Sequence, residues 1–289
     1  MSKLRQQLIQ ELVLRGCSER TQEAYVHQVY QLAKFFRQPP DQLSHEQVRA
    51  YLFHLARERQ LAASSINQAV NAFRFLYERV LHREVDALRQ ALPFTRKPIQ
   101  RPQVYSAAEL EVLFTVGAPH PKHRAFLMTV YGAGLRLNEA CHLKAEHLDA
   151  ARQQIRVVQG KGRKDRYTLL SPRLLAELRQ YWRLFRPQHW LFPATRAPHQ
   201  PMVDATGQRI YYHAIQRAGL RRKGGIHALR HSFATHLLEA GVEITVVQRL
   251  LGHAHLQTTS TYLHVRQERL AQIAGPLQLL NLSPLSPVS

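Results

Sequence analysis

Residues 227–241 read HALRHSFATHLLEAG, a stretch that sets a helix over Ala228 to Ala240 and loads its first turn with titratable groups. His227 and Arg230 stand three apart, so on a helix they share one face and their donors can converge on one anion. His227 and His231 also have the spacing of two zinc ligands, and a structural histidine is the ordinary role for either. Zinc is the weaker reading. The glutamate of a zinc-binding HExxH helix is absent, and Arg230 between two ligands would repel a dication.

Downstream, residues 250–262 read LLGHAHLQTTSTY after an apolar helix over Ile244 to Leu251. Gly252 marks the C-terminal break of that helix and leaves His253 at its end, with Tyr262 nine residues further on. One tyrosine among eleven has no claim to chemistry on composition alone.

Upstream lies a helix over Gln208 to Ala218, followed by the basic loop RRKGG at 221–225. Before it, Ser171 and Pro172 open a helix through Leu175 and Leu178. Strands over Gln154 to Gln159 and Tyr167 to Leu170 flank the turn GKGRKDR, which holds Lys161. That turn is an ordinary solvated basic loop, or it carries an ammonium to a phosphate, where lysine can give up a proton as arginine cannot. Residues 132–139, GAGLRLNE, break one helix and put Arg136 at the start of the next. Glu139 then reads either as a simple ion partner or as the group that aims the guanidinium at a phosphate from behind.

Residues 93–104, PFTRKPIQRPQV, hold three prolines and three basic residues without apolar period, and so read as an extended linker. Before it, Leu4, Leu8 and Leu12, then Tyr25, Val29, Leu32 and Phe36, recur at helical spacing. Gly16 stops the first helix and Pro39-Pro40 the second. Ser44 with Gln47 caps a third, and Ser64-Ser65 opens a fourth that carries Ile66, Val70, Phe73, Tyr77 and Val80. After the linker, Ser106 with Glu109 caps another helix. The expected fold class is therefore mainly α with a small β-hairpin: a helical domain over 1–92, a basic linker over 93–104, a mostly helical domain over 105–275 and a frayed tail over 276–289.

Lys and Arg number 40 against 20 Asp and Glu, a net charge of +20 with neutral histidines, which asks for a polyanion. Nucleic acid leads, although an anionic membrane or a ribosomal-type surface tolerates such charge. The excess is uneven. Residues 1–92 carry 13 basic and 9 acidic groups, and the rest carries 27 and 11, so the second part holds the stronger polyanion surface. Two cysteines, Cys17 and Cys141, make neither a disulfide framework nor a metal knuckle, and the N-terminus has no signal-peptide pattern. No run approaches the ~20 apolar residues of a membrane span. The expectation is a cytoplasmic protein.

Taken in order, GLRxxE, the GKG hairpin, HxLRHSFATHLLxxG, LGH and a tyrosine nine residues later strongly resemble the tyrosine site-specific recombinases, the phage integrase and Xer-like family. The resemblance spans nearly the whole chain. It makes the first 92 residues a core-binding, SAM-like DNA-binding domain and the region from about 105 a catalytic domain. It departs from the commonest pattern at Leu263 and His255, neither of them a catalytic position, and it lacks the helix that integron integrases insert before HxLR.

The resemblance implies that Arg136 and Arg230 clamp the phosphate, Lys161 protonates the leaving oxygen, His227 and His253 are active-site imidazoles and Tyr262 is the nucleophile, with Glu139 supporting. It implies a 3′-phosphotyrosyl intermediate with no metal, ATP or other cofactor, and a tetramer on two DNA sites, to which residues 264–274 contribute a docking helix or merely pack within the chain. Arg96, Lys97, Arg101, Arg163, Lys164, Arg221, Arg222 and Lys223 are candidates for DNA backbone contact, against an ordinary solvated face. Three other functions stay open. They are relaxation by a type IB topoisomerase, a non-catalytic DNA-binding accessory protein, and a metal-dependent nuclease suggested only by 17 histidines.

Overall fold

The computed structural model describes residues 3–95, 103–158 and 165–253, which fall into two compact units divided between Ile99 and Gln100. In the first unit, α1 (Lys3–Leu14) ends as Gly16 takes a positive φ of 66°. Ser18 then caps α2 (Glu19–Phe36) by accepting from the Thr21 amide. That helix stops earlier than the prolines require, because Arg37 adopts the left-handed conformation at its C-cap. Ser44 and Gln47 form the expected reciprocal cap of α3 (His45–Arg57).

The next helix, α4 (Ala63–Phe75), starts one residue before the serines and continues as a wider π turn over Leu76–Val80. A further short helix, α5 (Val85–Ala91), joins the four expected; at seven residues it offers too little periodicity to be read from sequence. Leu8, Leu12, Leu32, Val48, Phe73 and Tyr77 meet in one core, each fully buried large side chain stabilising by roughly 1.5–3 kcal/mol. The Tyr77 hydroxyl donates to the Pro40 carbonyl at 2.8 Å, so this fully buried ring brings its polar atom a partner.

The second unit begins with α6 (Ala107–Val112), held by the reciprocal cap of Ser106 and Glu109. Helices α7 (Pro121–Gly132) and α8 (Leu137–Cys141) follow, then strands β1 (Leu148–Asp149), β2 (Gln154–Val157) and β3 (Arg166–Leu169). All pair antiparallel in the order β1-β2-β3, with Ile155 opposite Thr168 and Val157 opposite Arg166. The two longer strands were legible. Strand β1 has only two residues and no alternation to display.

Ser171 caps α9 (Pro172–Phe185) through the Leu174 amide. Helix α10 (Asp204–Arg217) begins four residues before the sequence pattern suggested. Gly207 lies inside the helix, where a Cβ would stand 2.7 Å from Leu137 Cδ1 and 2.9 Å from Phe126 Cζ. Close helix packing, not a turn, requires that glycine. Last come α11 (His227–Glu239) and α12 (Ile244–Leu251).

Phe126, Leu127, Leu135, Ile155, Phe192 and Leu229 belong to the main core of this unit, and Phe233, Ala234, Leu238, Val247 and Leu251 form a second cluster between α11 and α12. The fold class is mainly α with a small antiparallel sheet, as the sequence indicated. Cys17 and Cys141 are free thiols, and among the described residues no helix is long and apolar enough to cross a membrane.

Candidate active site

The site is assembled at the ends of helices. Chain reversal after α7 depends on Gly134, whose φ of 60° belongs to the left-handed region, and it sets Arg136 as the N-cap of α8. The Arg136 amide donates to Glu139 Oε2 at 2.8 Å and its guanidinium Nη1 donates to Oε1 at 2.8 Å, so backbone and side chain are held by one carboxylate. Its Nη2 donates to the Gly252 carbonyl at 3.3 Å.

Arg230 comes from the first turn of α11 and is only 4% exposed. Nη1 donates to the Gly134 carbonyl and Nη2 to the Leu251 carbonyl, both at 2.6 Å, so the guanidinium ties the α7–α8 turn to the end of α12. The helix that carries it is fixed in turn: Ser232 Oγ accepts from the Tyr105 amide at 2.8 Å, and the Tyr131 hydroxyl meets His236 Nδ1 at 2.9 Å.

Glu139 lies at the centre of the cluster, with a side chain 8% exposed. Burial would push its carboxyl up, but hydrogen bonds and charge from Arg166 and Arg136 overcome this and hold it down at about 2. Glu139 is therefore an anion at every ordinary pH.

Three imidazoles surround the guanidiniums. His227 is lowered from its usual value, first by loss of hydration and then by Arg230 and Arg136. His253, at the end of α12, falls to about 4 for the same first reason, reinforced by Arg230, Arg136 and Arg166. His231 also falls to about 4, through burial, His227 and Arg230. The site thus offers cationic guanidiniums beside neutral imidazoles. Neutral imidazole can accept a proton at one nitrogen and donate a hydrogen bond from the other.

Comparison with known proteins gives this arrangement its place. The phage integrase family model matches residues 105–269, and the N-terminal SAM-like domain of phage integrases matches residues 4–87. The protein y4qK of Sinorhizobium fredii is 42% identical over 282 residues, covering 97% of this chain and 90% of its own.

The chain belongs to the phage integrase family.

Tyrosine recombinase XerA of Thermococcus kodakarensis is 34% identical over 276 residues, with 93% of each chain covered. In fold, a lambda integrase dimer bound to a core site aligns at a TM-score of 0.73 and 18% identity, over 92% of this chain and 96% of that one. The family cleaves and rejoins DNA strands, so this recombinase is an enzyme of site-specific recombination that works on DNA.

Of the residues singled out from sequence, the recombinase brings Arg136, Glu139, His227, Arg230 and His253 into one electrostatic neighbourhood. Arg221 and Arg222 are exposed in the loop before α11. Lys223 is engaged elsewhere: its Nζ donates to Glu109 Oε2 at 2.6 Å and to the Val104 carbonyl at 2.8 Å, and it lies 5.0 Å above the Tyr105 ring. Lys161, Tyr262, Arg96, Lys97, Arg101, Arg163, Lys164 and the stretch 264–274 lie outside the described residues.

Sequence reasoning missed Arg166. It opens β3, yet its side chain is only 9% exposed and forks onto Glu139 with Nη1 to Oε1 at 2.8 Å and Nη2 to Oε2 at 2.7 Å. In the sequence it is the last of four basic residues in a turn, and only its place next to a strand residue set it apart.

Proposed function

We propose that this recombinase cuts duplex DNA by attack of the Tyr262 hydroxyl on a backbone phosphorus, forming a 3′-phosphotyrosyl bond as the bond from phosphorus to the 5′-oxygen breaks. The observation that carries the reading is the convergence of Arg136 and Arg230, from two separate helix starts, around one buried carboxylate and beside neutral His227 and His253. A phosphodiester resists attack because its oxygens are already anionic and gain charge in the transition state. Two fixed guanidiniums oppose this, each worth about 3–4 kcal/mol as a preorganised donor.

A phenol with a pKa near 10 needs a base. His227, neutral at ordinary pH, takes the Tyr262 proton. Lys161 delivers a proton to the departing 5′-oxygen, and His253 donates a hydrogen bond to the phosphate as charge develops. The tyrosyl ester keeps the energy of the broken linkage. A 5′-hydroxyl from a second duplex therefore reverses the step and joins new partners, with neither ATP nor a metal taking part.

In this reading residues 1–92 and 105–275 both grip the duplex, 93–104 crosses between them, and 276–289 is a tail. Arg96, Lys97, Arg101, Arg163, Lys164, Arg221 and Arg222 neutralise phosphates, which makes affinity fall steeply with salt. Exchange takes place in a tetramer on two sites, with 264–274 docking into a neighbour, in the cytoplasm. Support for DNA as partner comes from structural neighbours solved with DNA, among them the Tn1549 transposon integrase with transposon right end DNA, at 16% identity and a TM-score of 0.70.

The test is a denaturing gel of the full chain incubated, in EDTA, with nicked suicide duplexes pooled over candidate sites. A covalent adduct for wild type that vanishes in Tyr262→Phe is expected. DNA binding without adduct on any site would make the protein a non-catalytic accessory factor instead.

A further inference from the structure

Two clamping arginines share the site with a carboxylate that is an anion at any pH the enzyme would meet. Glu139 Oε1 is 2.8 Å from Arg136 Nη1, and Oε2 is 3.8 Å from Arg230 Nη1. Left alone, that buried charge would cancel much of one clamp, because interactions between groups this deep are weakly screened. It is not left alone. Arg166 covers both oxygens in a two-bond fork, and its Nε donates to the Leu250 carbonyl at 2.9 Å, on α12, which ends two residues before His253.

We propose that Arg166 is a positioning residue of strand cleavage: it takes up the charge of Glu139 so that the charges of Arg136 and Arg230 act on the phosphate rather than on that carboxylate, and it holds the end of α12, two residues before His253. The inference rests on the phosphate-clamping reading given above and adds a residue to it. Three guanidiniums against one carboxylate leave a surplus of two positive charges, one for each clamp, where two guanidiniums would leave one. The same side chain explains a glycine. A Cβ on Gly252 would stand 2.7 Å from Arg166 Cδ, so the break after α12 leaves room for this arginine to pass.

A charge role and a merely structural role separate in a double-substitution cycle. The readout is the single-turnover rate of covalent adduct formation by the full chain on the suicide duplex that wild type cleaves, with DNA affinity measured beside it. Arg166→Met is expected to slow adduct formation about a hundredfold while affinity stays within about twofold. Adding Glu139→Gln to that variant removes the uncompensated charge and is expected to restore the rate on the order of tenfold. Arg166→Gln, which keeps a hydrogen bond to Glu139, serves as the second neutral variant if Arg166→Met loses its cooperative melt, and the same rescue is expected in it. A double variant no faster than its folded single parent overturns the role of Arg166. A wild type that traps no adduct contradicts the phosphotyrosyl reading itself, so the two failures are distinct.

Discussion

Gly134 and Phe233 are packed so closely that a Cβ on the glycine would stand 2.4 Å from the phenyl Cδ1. The turn that presents Arg136 and the helix that presents Arg230 are thereby held at one fixed separation. Gly134→Ala meets this ring and must also hold a side chain at a φ of 60°. Left-handed backbone costs about 1–2 kcal/mol and overpacking about 1–3. Urea unfolding is expected to show a loss of about 2–5 kcal/mol on adding those terms. Adduct formation should fall with it, since the Gly134 carbonyl is an acceptor for Arg230.

Arg230→Lys keeps a positive charge but not the planar fork that reaches the Gly134 and Leu251 carbonyls together. The adduct rate should drop by about 10²–10³-fold, as for loss of one preorganised donor. DNA affinity and its salt dependence should stay near wild type. A variant that cleaves normally would show that charge alone suffices at this position.

The basic loop before α11 separates into two kinds of residue. Arg221 and Arg222 are exposed, whereas Lys223 is committed to Glu109 and the Val104 carbonyl. In titrations of DNA affinity against salt, Arg221→Ala and Arg222→Ala should each lower the slope by about 0.9, the value for one released phosphate contact. Lys223→Ala should leave the slope unchanged and lower the melting temperature.

Stability should fall as the solution is acidified through two windows. His231 and His253 sit at about 4 in the folded chain against an ordinary 6.5, so between those values the unfolded state binds protons that the folded state refuses. Stability is therefore full above about 6.5 and drops as pH falls toward 4. Glu139, held at about 2 against 4.5, adds a second loss below 4.5 by the same logic. Urea midpoints measured across this range should trace both. His231→Gln should flatten the upper window, since its charged form is opposed by burial first and then by His227 and Arg230, and glutamine has no such form.

Much of this architecture was legible because it is local. Ser44 with Gln47, Ser106 with Glu109, and Ser171 each bind an amide three residues on, so sequence spacing alone located three helix starts. Gly252, at a φ of 65°, ended α12 as its position indicated. Glu139 proved to be the partner of Arg136, which lies within one helical turn.

What stayed hidden is non-local. Arg166 reaches Glu139 across 27 residues and Leu250 across 84, and no periodicity encodes such a meeting. Lys223 looked like any exposed base until Glu109, 114 residues away, claimed it. The start of α10 stayed hidden too, because sequence cannot show that Leu137 and Phe126 pack where a Cβ on Gly207 would stand.

The central claim is that Tyr262 becomes bonded to the 3′ end of the cleaved strand. The most direct test is to isolate the adduct trapped on a suicide duplex, digest protein and DNA, and identify by mass spectrometry both the modified residue and the nucleotide end. A tyrosyl 3′-phosphate on the peptide containing Tyr262, with a free 5′-hydroxyl on the other strand end, is the expected result. Attachment at another residue, or through a 5′-phosphate, would contradict it.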